Sequence, residues 1–287
     1  MGQLDVSLKH ALSAFPSHWA EFVGVRHGTP IEVVDTDVST VTGIADKAFL
    51  VREDEPFLLH LELQGYYDKW LDDRMHVYNV LMRRRHRVFV HSVAIILDRH
   101  AWGPANTNRI TAESPLGGCR VEFAYEVIKA WELPVERVLA GGVGILPLAP
   151  IADVPQRDVP DIIGRLTERF EHELPRAEAS EFWTATYVLL GLKYDQAFAQ
   201  ALLQGIHDIM KESSTYQAII EEGMERGAAK AKRDTLILLG TRRFDAPDAG
   251  TLAAINAIAD LDRLDAMLLR VLDADGWSDI LAVNHDL

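Results

Sequence analysis

Three oxygen-bearing side chains stand out because their positions suit the binding of a cation. Glu62 and Gln64 are two residues apart within the stretch 57–64, FLLHLELQ, in which apolar and polar residues alternate. This alternation predicts a β-strand, so both side chains point from the same face. Asp46 lies in a second strand-like stretch, 44–51. Two carboxylates and a carboxamide oxygen are hard donors, of the kind that Mg²⁺ and Mn²⁺ prefer.

The two stretches are close enough in sequence to pair as a hairpin. Residues 52–56, REDEP, form a charged turn that ends in proline. Asp46 would then lie on the strand beside Glu62, in a register that depends on the pairing. A second interpretation places strand 57–64 at a sheet edge with its polar face in solvent. On that interpretation, Asp46 is a solvated residue at a strand entry.

Further elements are expected around this hairpin. Residues 71–87 predict a helix with acidic residues at its positive N-terminal end and a run of arginines at its C-terminal end. The apolar, β-branched stretch 88–97 predicts a central strand that is reached by a helical crossover. Residues 120–128 predict a further strand. From Asp161 onward the apolar spacing is helical.

Composition restricts the class of protein. The chain of 287 residues is long enough for one large domain or two smaller ones, and it is 48% hydrophobic and 25% charged, as is ordinary for soluble globular proteins. No apolar run approaches the roughly 20 residues that span a bilayer, and residues 1–9 lack a signal-peptide core. We therefore expect a cytoplasmic protein without membrane contacts. The net charge of −14 opposes general adhesion to nucleic acid, although a local basic groove is compatible with it.

Several other catalytic arrangements are absent from the sequence. Cys119 is the only cysteine, which excludes a disulfide framework and a cysteine-based zinc site. The chain has no His-Glu-x-x-His and no Gly-x-Ser-x-Gly motif. The glycine run 141–144 lacks the Gly-Lys-Ser/Thr ending of a phosphate loop and predicts a turn. The oxygen donors described above remain, and a metal bound there could activate water and stabilise charge on a phosphoryl group.

A series of short motifs follows one order along most of the chain. They are Asp46, HLELQ at 60–64, DDRM at 72–75 with Tyr78, the apolar strand 93–97, YEVI at 125–128, WEL at 131–133, GILPL at 144–148 and LGLKY at 190–194. Together they resemble the Rpn family of the PD-(D/E)XK nuclease superfamily, the recombination-promoting nucleases or transposase-like proteins, also called YhgA-like. Residues 213–281 are similar to the small helical domain that often trails these proteins.

The resemblance implies an α/β fold with three portions. A restriction-endonuclease-like core, with a mixed central sheet flanked by helices, is expected over residues 1–150. An all-helical C-terminal portion follows, as a helical extension over 151–212 and a small helical domain over 213–287. In this superfamily a carboxylate on the second core strand and an acidic residue on the third bind the metal. A lysine two residues further along the third strand assists the attacking water.

The resemblance also assigns roles to individual residues. Asp46 and Glu62 take the metal-binding places, and Gln64 takes the place of the lysine, so all three are expected to be catalytic. Glutamine carries no charge and exchanges no proton near neutral pH, but the Rpn branch commonly has glutamine there. The upstream acidic ligand of the superfamily has three candidates, which are Glu32, Asp35 and Asp37.

These assignments imply a Mg²⁺- or Mn²⁺-dependent DNA endonuclease that hydrolyses phosphodiester bonds, with a link to recombination or mobile elements. The expected DNA contacts are Arg83, Arg84 and Arg87, although cations at a helix C-terminus are also favourable for dipole reasons alone. The rival interpretation is a binding or scaffolding protein that keeps this core without effective catalysis. The acidic net charge and the missing lysine favour the rival. A homo-oligomer is left open.

Overall fold

A computed structural model describes residues 11–34, 47–113 and 119–283 of the chain. Within these ranges the protein is mixed α/β, with its strands before residue 130 and a long helical portion after it. The chain divides into two compact units, Met1–Tyr216 and Gln217–Leu287. No helix in the described ranges combines the length and the apolar character that crossing a bilayer requires.

Strands in the described ranges form one mixed sheet and one separate hairpin. Their bounds are β1 Ile31–Val34, β2 Lys47–Val51, β3 Phe57–Gln64, β4 Phe89–Ile96, β5 Arg109–Glu113, β6 Arg120–Ala124 and β7 Glu126–Lys129. The mixed sheet has the order β1-β2-β3-β4-β7, and β5 pairs with β6 alone. Pairing is antiparallel from β1 to β3 and parallel from β3 to β7. The expected hairpin is therefore confirmed in its described part, as is the parallel crossover into β4.

Helices flank the sheet and make up most of the chain after it. The α-helices are α1 Pro16–Phe22, α2 Leu71–His86, α3 Val135–Leu139, α4 Val159–Glu173, α5 Arg176–Lys193, α6 Gln196–Leu202, α7 His207–Met210, α8 Ser214–Phe244, α9 Ala249–Asn256, α10 Leu261–Arg270 and α11 Trp277–Leu281. Short 3₁₀ segments lie at Arg99–Ala101, Ala130–Glu132, Val143–Ile151 and Gln156–Asp158. The helix expected over 71–87 and the helical C-terminal portion are confirmed.

Strand β3 lies in the middle of the mixed sheet and is covered on both faces. Leu59 and Leu61 belong to the main hydrophobic core of the first unit. On the opposite face Leu58 packs with Tyr78 and Met82 of α2. The interpretation of β3 as an edge strand with a solvated polar face is therefore wrong, because α2 covers the face that carries the polar residues.

The single strand expected over 120–128 is two strands in different sheets. Residue Tyr125 separates β6 from β7 and is buried. Its backbone N–H donates to the carbonyl of Asn108 at 3.2 Å, and the Asn108 side chain donates to the Tyr125 carbonyl at 3.0 Å. These two bonds hold the chain where it leaves the hairpin and enters the mixed sheet beside β4.

The glycine run expected as a turn packs closely against α1. A Cβ on Gly142 would lie 2.4 Å from the His18 ring, and one on Gly144 would lie 2.7 Å from the Cβ of Phe15. The Gly144 N–H also donates to His18 Nδ1 at 3.0 Å. The glycines thus allow the buried 3₁₀ segment Val143–Ile151 to approach α1.

The first unit has one main core that extends past residue 150. Leu146 and Ile151 belong to it together with Leu166 of α4 and Trp183 of α5. Residue 150, where the helical extension is expected to begin, therefore lies within one continuous core. The helices after residue 150 complete the layer that covers one face of the sheet.

The second unit has a hydrophobic core of its own. Leu236 of α8, Ile255 of α9, Leu264 of α10 and Ile280 of α11 are completely buried in it. Two of its helices begin at aspartate caps. Asp248 accepts the N–H of Thr251 at 2.7 Å, and Asp260 accepts two backbone N–H groups at the start of α10.

Candidate active site

Two of the three expected catalytic side chains lie side by side beneath α2. Glu62 and Gln64 occur at alternate positions of β3, and each is only 1% exposed. Arg74, from the start of α2, reaches both of them. One terminal nitrogen of its guanidinium donates to Glu62 Oε1, and the other donates to Gln64 Oε1 at 2.8 Å. The planar guanidinium therefore bridges the carboxylate and the carboxamide.

Arg74 is held in place by a second acidic side chain. Its Nε lies 3.3 Å from Oδ2 of Asp68, which belongs to the loop before α2. Burial alone would lower the pKa of Arg74, but the carboxylates of Glu62 and Asp68 outweigh that effect and raise it. The guanidinium is therefore a permanent positive charge beside Glu62 and Gln64.

A histidine continues the polar row on the same face of β3. The His60 ring is completely buried, with Nδ1 3.2 Å from Ser92 Oγ on β4 and Nε2 3.5 Å from Glu62 Oε2. Asn79 of α2 donates to Ser92 Oγ at 3.0 Å and to the Val90 carbonyl at 2.8 Å. A chain of polar groups thus runs from Asn79 through Ser92 and His60 to Glu62.

A second buried network fixes the start of α2. The Tyr125 hydroxyl donates to Asp72 Oδ1 at 2.6 Å, and the N–H and hydroxyl of Thr107 donate to Asp72 Oδ2 at 2.8 and 2.7 Å. Burial and the bond to Asp72 raise the pKa of Tyr125 well above its ordinary value. Asp72 therefore does more than complement the helix dipole, because it ties α2 to Thr107 and Tyr125, which flank the β5–β6 hairpin.

Of the remaining expected metal ligands, only Glu32 lies among the described residues. Asp46, Asp35 and Asp37 lie outside the described residues. Glu32 is exposed on β1, where it pairs with Arg52. Glu32 lies opposite Leu50, which lies opposite Leu58, so it is two strands and four residues away from Glu62. Strand spacing and rise separate their backbones by roughly 16 Å, which excludes Glu32 as a ligand of the same ion.

The three arginines expected to contact DNA are exposed at the other end of α2. Arg83, Arg84 and Arg87 line a groove of about 570 Å³ that also includes Phe89. The described structure gives none of the three an ion pair. Ten residues of α-helix separate Arg74 from Arg84, which corresponds to about 15 Å. The basic run is thus near the buried cluster but is not part of it.

Arg74 is the functional candidate that motif analysis did not assign. The sequence places it four residues before Tyr78, on the side of α2 that faces the sheet. An arginine within a buried helical stripe is a signal, since a buried guanidinium needs an anionic partner. Its partner Glu62 lies on a strand rather than on the same helix, and residue spacing along the chain does not reveal such a contact.

The donor types in this cluster suit a hard divalent cation. Glu62 offers a carboxylate and Gln64 a carbonyl oxygen, and both accept a hydrogen bond from Arg74. Among the described residues, no three His, Cys, Asp or Glu side chains are grouped so that they could hold one ion. Asp46, the further donor expected from the motifs, lies outside the described residues.

Comparisons of the chain with protein-family models, with curated proteins and with solved structures found no match. The resemblance to the Rpn family accordingly rests on the motifs in the sequence.

Proposed function

We propose that this protein is a metal-dependent nuclease of the Rpn type that hydrolyses DNA phosphodiesters. The observation that carries the proposal is the buried cluster of Glu62, Gln64 and Arg74. Removing a carboxylate and a guanidinium from water costs several kcal/mol per ion, and apolar residues of similar volume often serve stability as well or better. An ion pair in the middle of the sheet therefore supports a chemical role.

The topology is compatible with the proposed nuclease core. An antiparallel meander from β1 to β3, a crossover through α2 and a parallel β4 provide a mixed sheet with a helix on the face of Glu62. Glu62 lies on β3, the third strand of this sheet, and Asp46 comes directly before β2 in the sequence. Asp46 and Glu62 would hold Mg²⁺ or Mn²⁺.

The residues around the site have separable tasks in this proposal. A bound divalent ion would supply water activation and charge stabilisation at the phosphoryl group. Gln64 accepts from Arg74 and donates to the Tyr66 carbonyl, so its carboxamide is held in one orientation. It can orient a water molecule but cannot take its proton. Arg74 supplies a positive charge beside Gln64, where the superfamily has its lysine, and Arg74 cannot act as a base either.

A second candidate function is a binding or scaffolding module without catalysis. The observation that favours it is the pairing of Glu62 with Arg74. The guanidinium already balances the carboxylate, so the described cluster is electrostatically satisfied without a cation. In a nuclease, Arg74 must share these oxygens with the ion or withdraw from them.

Cleavage of supercoiled plasmid DNA in Mg²⁺ or Mn²⁺ tests the proposal. We expect Glu62→Gln and Asp46→Asn to abolish cleavage. The matched control is Glu122→Gln, which changes an exposed glutamate on β6 and should leave cleavage unchanged. If the wild type cleaves neither plasmid nor single-stranded DNA with either metal, the nuclease proposal fails and the binding module is the preferred function.

A further inference from the structure

The row of polar residues on β3 contains a histidine to which the proposed nuclease chemistry gives no task. His60 is completely buried. Its Nε2 has no hydrogen-bond partner and lies 3.5 Å from Glu62 Oε2, while Nδ1 is within hydrogen-bond distance of Ser92 Oγ. A buried polar nitrogen without a partner in the described structure calls for an explanation.

The hydrogen bonds around Ser92 determine which nitrogen of the neutral ring carries the proton. Asn79 donates to Ser92 Oγ, so that oxygen already accepts one bond. Ser92 is buried and must place its own hydroxyl proton on an acceptor, and His60 Nδ1 is the acceptor that the structure offers. Nδ1 is then unprotonated, and the ring proton is on Nε2.

The opposite tautomer leaves two buried groups unsatisfied. With its proton on Nδ1, His60 would donate to Ser92, and the Ser92 hydroxyl proton would have no acceptor among the described groups. The lone pair of Nε2 would also face the carboxylate of Glu62, where two acceptors repel each other. The Nε2–H tautomer removes both problems.

We propose that His60 is a positioning residue for Glu62, with an N–H at Nε2 directed at the Glu62 carboxylate. At 3.5 Å the attraction is that of an oriented dipole rather than a short hydrogen bond. Arg74 holds Oε1 and His60 faces Oε2, so the carboxylate is oriented from both ends. A proton on Nε2 also keeps His60 from ligating a metal. Only oxygen atoms then remain as ligands, which favours Mg²⁺ or Mn²⁺ over Zn²⁺. This role rests on the proposed nuclease function, whereas the tautomer does not.

Long-range ¹H–¹⁵N NMR of the full-length protein at slightly alkaline pH, without metal, tests the tautomer. The His60 signals are assigned by their loss in His60→Gln. We expect an unprotonated Nδ1 and a protonated Nε2, and Ser92→Ala should weaken this bias because it removes the donor to Nδ1. A protonated Nδ1 in the wild type would overturn the proposal.

Two substitutions at the same position test the positioning role. Glutamine carries an amide near the place of Nε2, whereas asparagine reaches only the place of Nδ1. We expect His60→Asn to lower kcat for DNA cleavage by roughly 10- to 100-fold with little change in KM, and His60→Gln to restore most of it. If both variants lose kcat equally, and their melting temperatures fall equally as well, His60 contributes only to packing.

The two measurements separate this inference from the function on which it rests. Absence of cleavage by the wild type removes the nuclease proposal, and the positioning role falls with it. The NMR result still decides the tautomer in that case. Cleavage by the wild type with a protonated Nδ1 has the opposite meaning, since the nuclease proposal survives and the role of His60 fails.

Discussion

At the scale of single residues, the pair formed by Arg74 and Glu62 dominates the energetics of the site. The Glu62 side chain is almost completely buried and that of Arg74 is 26% exposed, so water screens the carboxylate hardly at all. Loss of one partner of such a pair is strongly destabilising, because the other charge remains buried without compensation. Loss of both partners together is much less harmful. The pair therefore couples stability to the same atoms that the proposed chemistry uses.

We expect Arg74→Met to lower the free energy of unfolding by about 2–4 kcal/mol, since Glu62 loses its bridging cation. The double variant Glu62→Gln with Arg74→Met should recover most of that loss. Urea denaturation of the four proteins in the cycle measures the coupling. Arg165→Met is the matched control, because Arg165 pairs with Glu136 at the exposed surface and its loss should change little. Additive effects in the cycle would contradict the pairing.

Tyr125 gives the protein a specific sensitivity to alkaline pH. Its pKa is raised in the folded state, so the folded form keeps the phenol protonated while the unfolded form ionises above about pH 10. The unfolded state then binds fewer protons, and stability falls as the pH rises. The contribution of Tyr125 is complete well below pH 10 and is lost progressively as the pH rises above it toward the raised pKa of the folded state.

Tyr125→Phe tests this sensitivity. At neutral pH the variant should be about 1–2 kcal/mol less stable, because the Asp72 carboxylate loses a buried donor. Between roughly pH 9 and 11 the wild type should lose more stability than the variant, since only the wild type has this ionisation. Urea denaturation across that range measures the difference. Tyr67→Phe, at a half-exposed tyrosine, is the control, and its difference in stability from the wild type should not change across this pH range.

At the scale of elements, helix α2 has two ends with different tasks. Its N-terminal turn carries Asp72, which accepts from Tyr125 after the β5–β6 hairpin, and Arg74, which donates to Glu62 on β3. Its C-terminal turn presents arginines to solvent and ends at Arg87, which adopts a left-handed conformation with φ of 61°. One rigid helix therefore sets the distance between the buried cluster and an exposed cationic surface.

Substitution of Arg83, Arg84 and Arg87 by glutamine should weaken DNA binding and flatten its dependence on salt. Each lost phosphate contact should reduce the slope of log affinity against log salt by roughly one. Fluorescence anisotropy at several salt concentrations measures both quantities. The triple lysine variant keeps the charges and should keep the slope. If affinity and slope are unchanged in the glutamine variant, the three arginines stabilise only the C-terminal end of α2 and do not contact DNA.

At the scale of the whole molecule, each of the two compact units has its own buried core. The second unit depends on a small cluster in which Leu236 is completely buried. Leu236→Ala should destabilise that unit by about 2–5 kcal/mol. Calorimetry should show a transition that moves to lower temperature while the transition of the first unit stays in place. Leu238→Ala, at an exposed position of α8, is the control, and a single transition that moves as a whole would show that the units unfold together.

Much of the sheet and of the site could be predicted from the sequence. The alternation in FLLHLELQ predicts β3 and places Glu62 and Gln64 on one face, and both expectations are confirmed. A period of two identifies the two faces of a strand but not what covers them. The polar face is buried because Tyr78 and Met82, some twenty residues later, pack beside it.

The contacts that could not be predicted from the sequence are those between elements that are distant along the chain. Arg74 joins a helix to a strand, and the bond from Tyr125 to Asp72 spans 53 residues. The division of 120–128 into two strands also depends on such a contact, since Asn108 anchors the chain at Tyr125. Spacing along the chain reports local periodicity, and these arrangements are set by tertiary packing instead.

The mixed pairing of β3 has a consequence for the order of events during folding. Its antiparallel partner β2 is joined to it by a short turn, whereas its parallel partner β4 arrives only after α2. Short loops close at a smaller entropic penalty, so we expect the hairpin to assemble before the crossover. Helix α2 carries Arg74 and also covers Glu62, so the guanidinium and the covering helix arrive at the sheet together. The connectivity thus lets the Glu62 carboxylate lose its hydration at the same step in which the Arg74 guanidinium reaches it. The folding chain therefore avoids a stage in which that carboxylate is buried without a counter-charge.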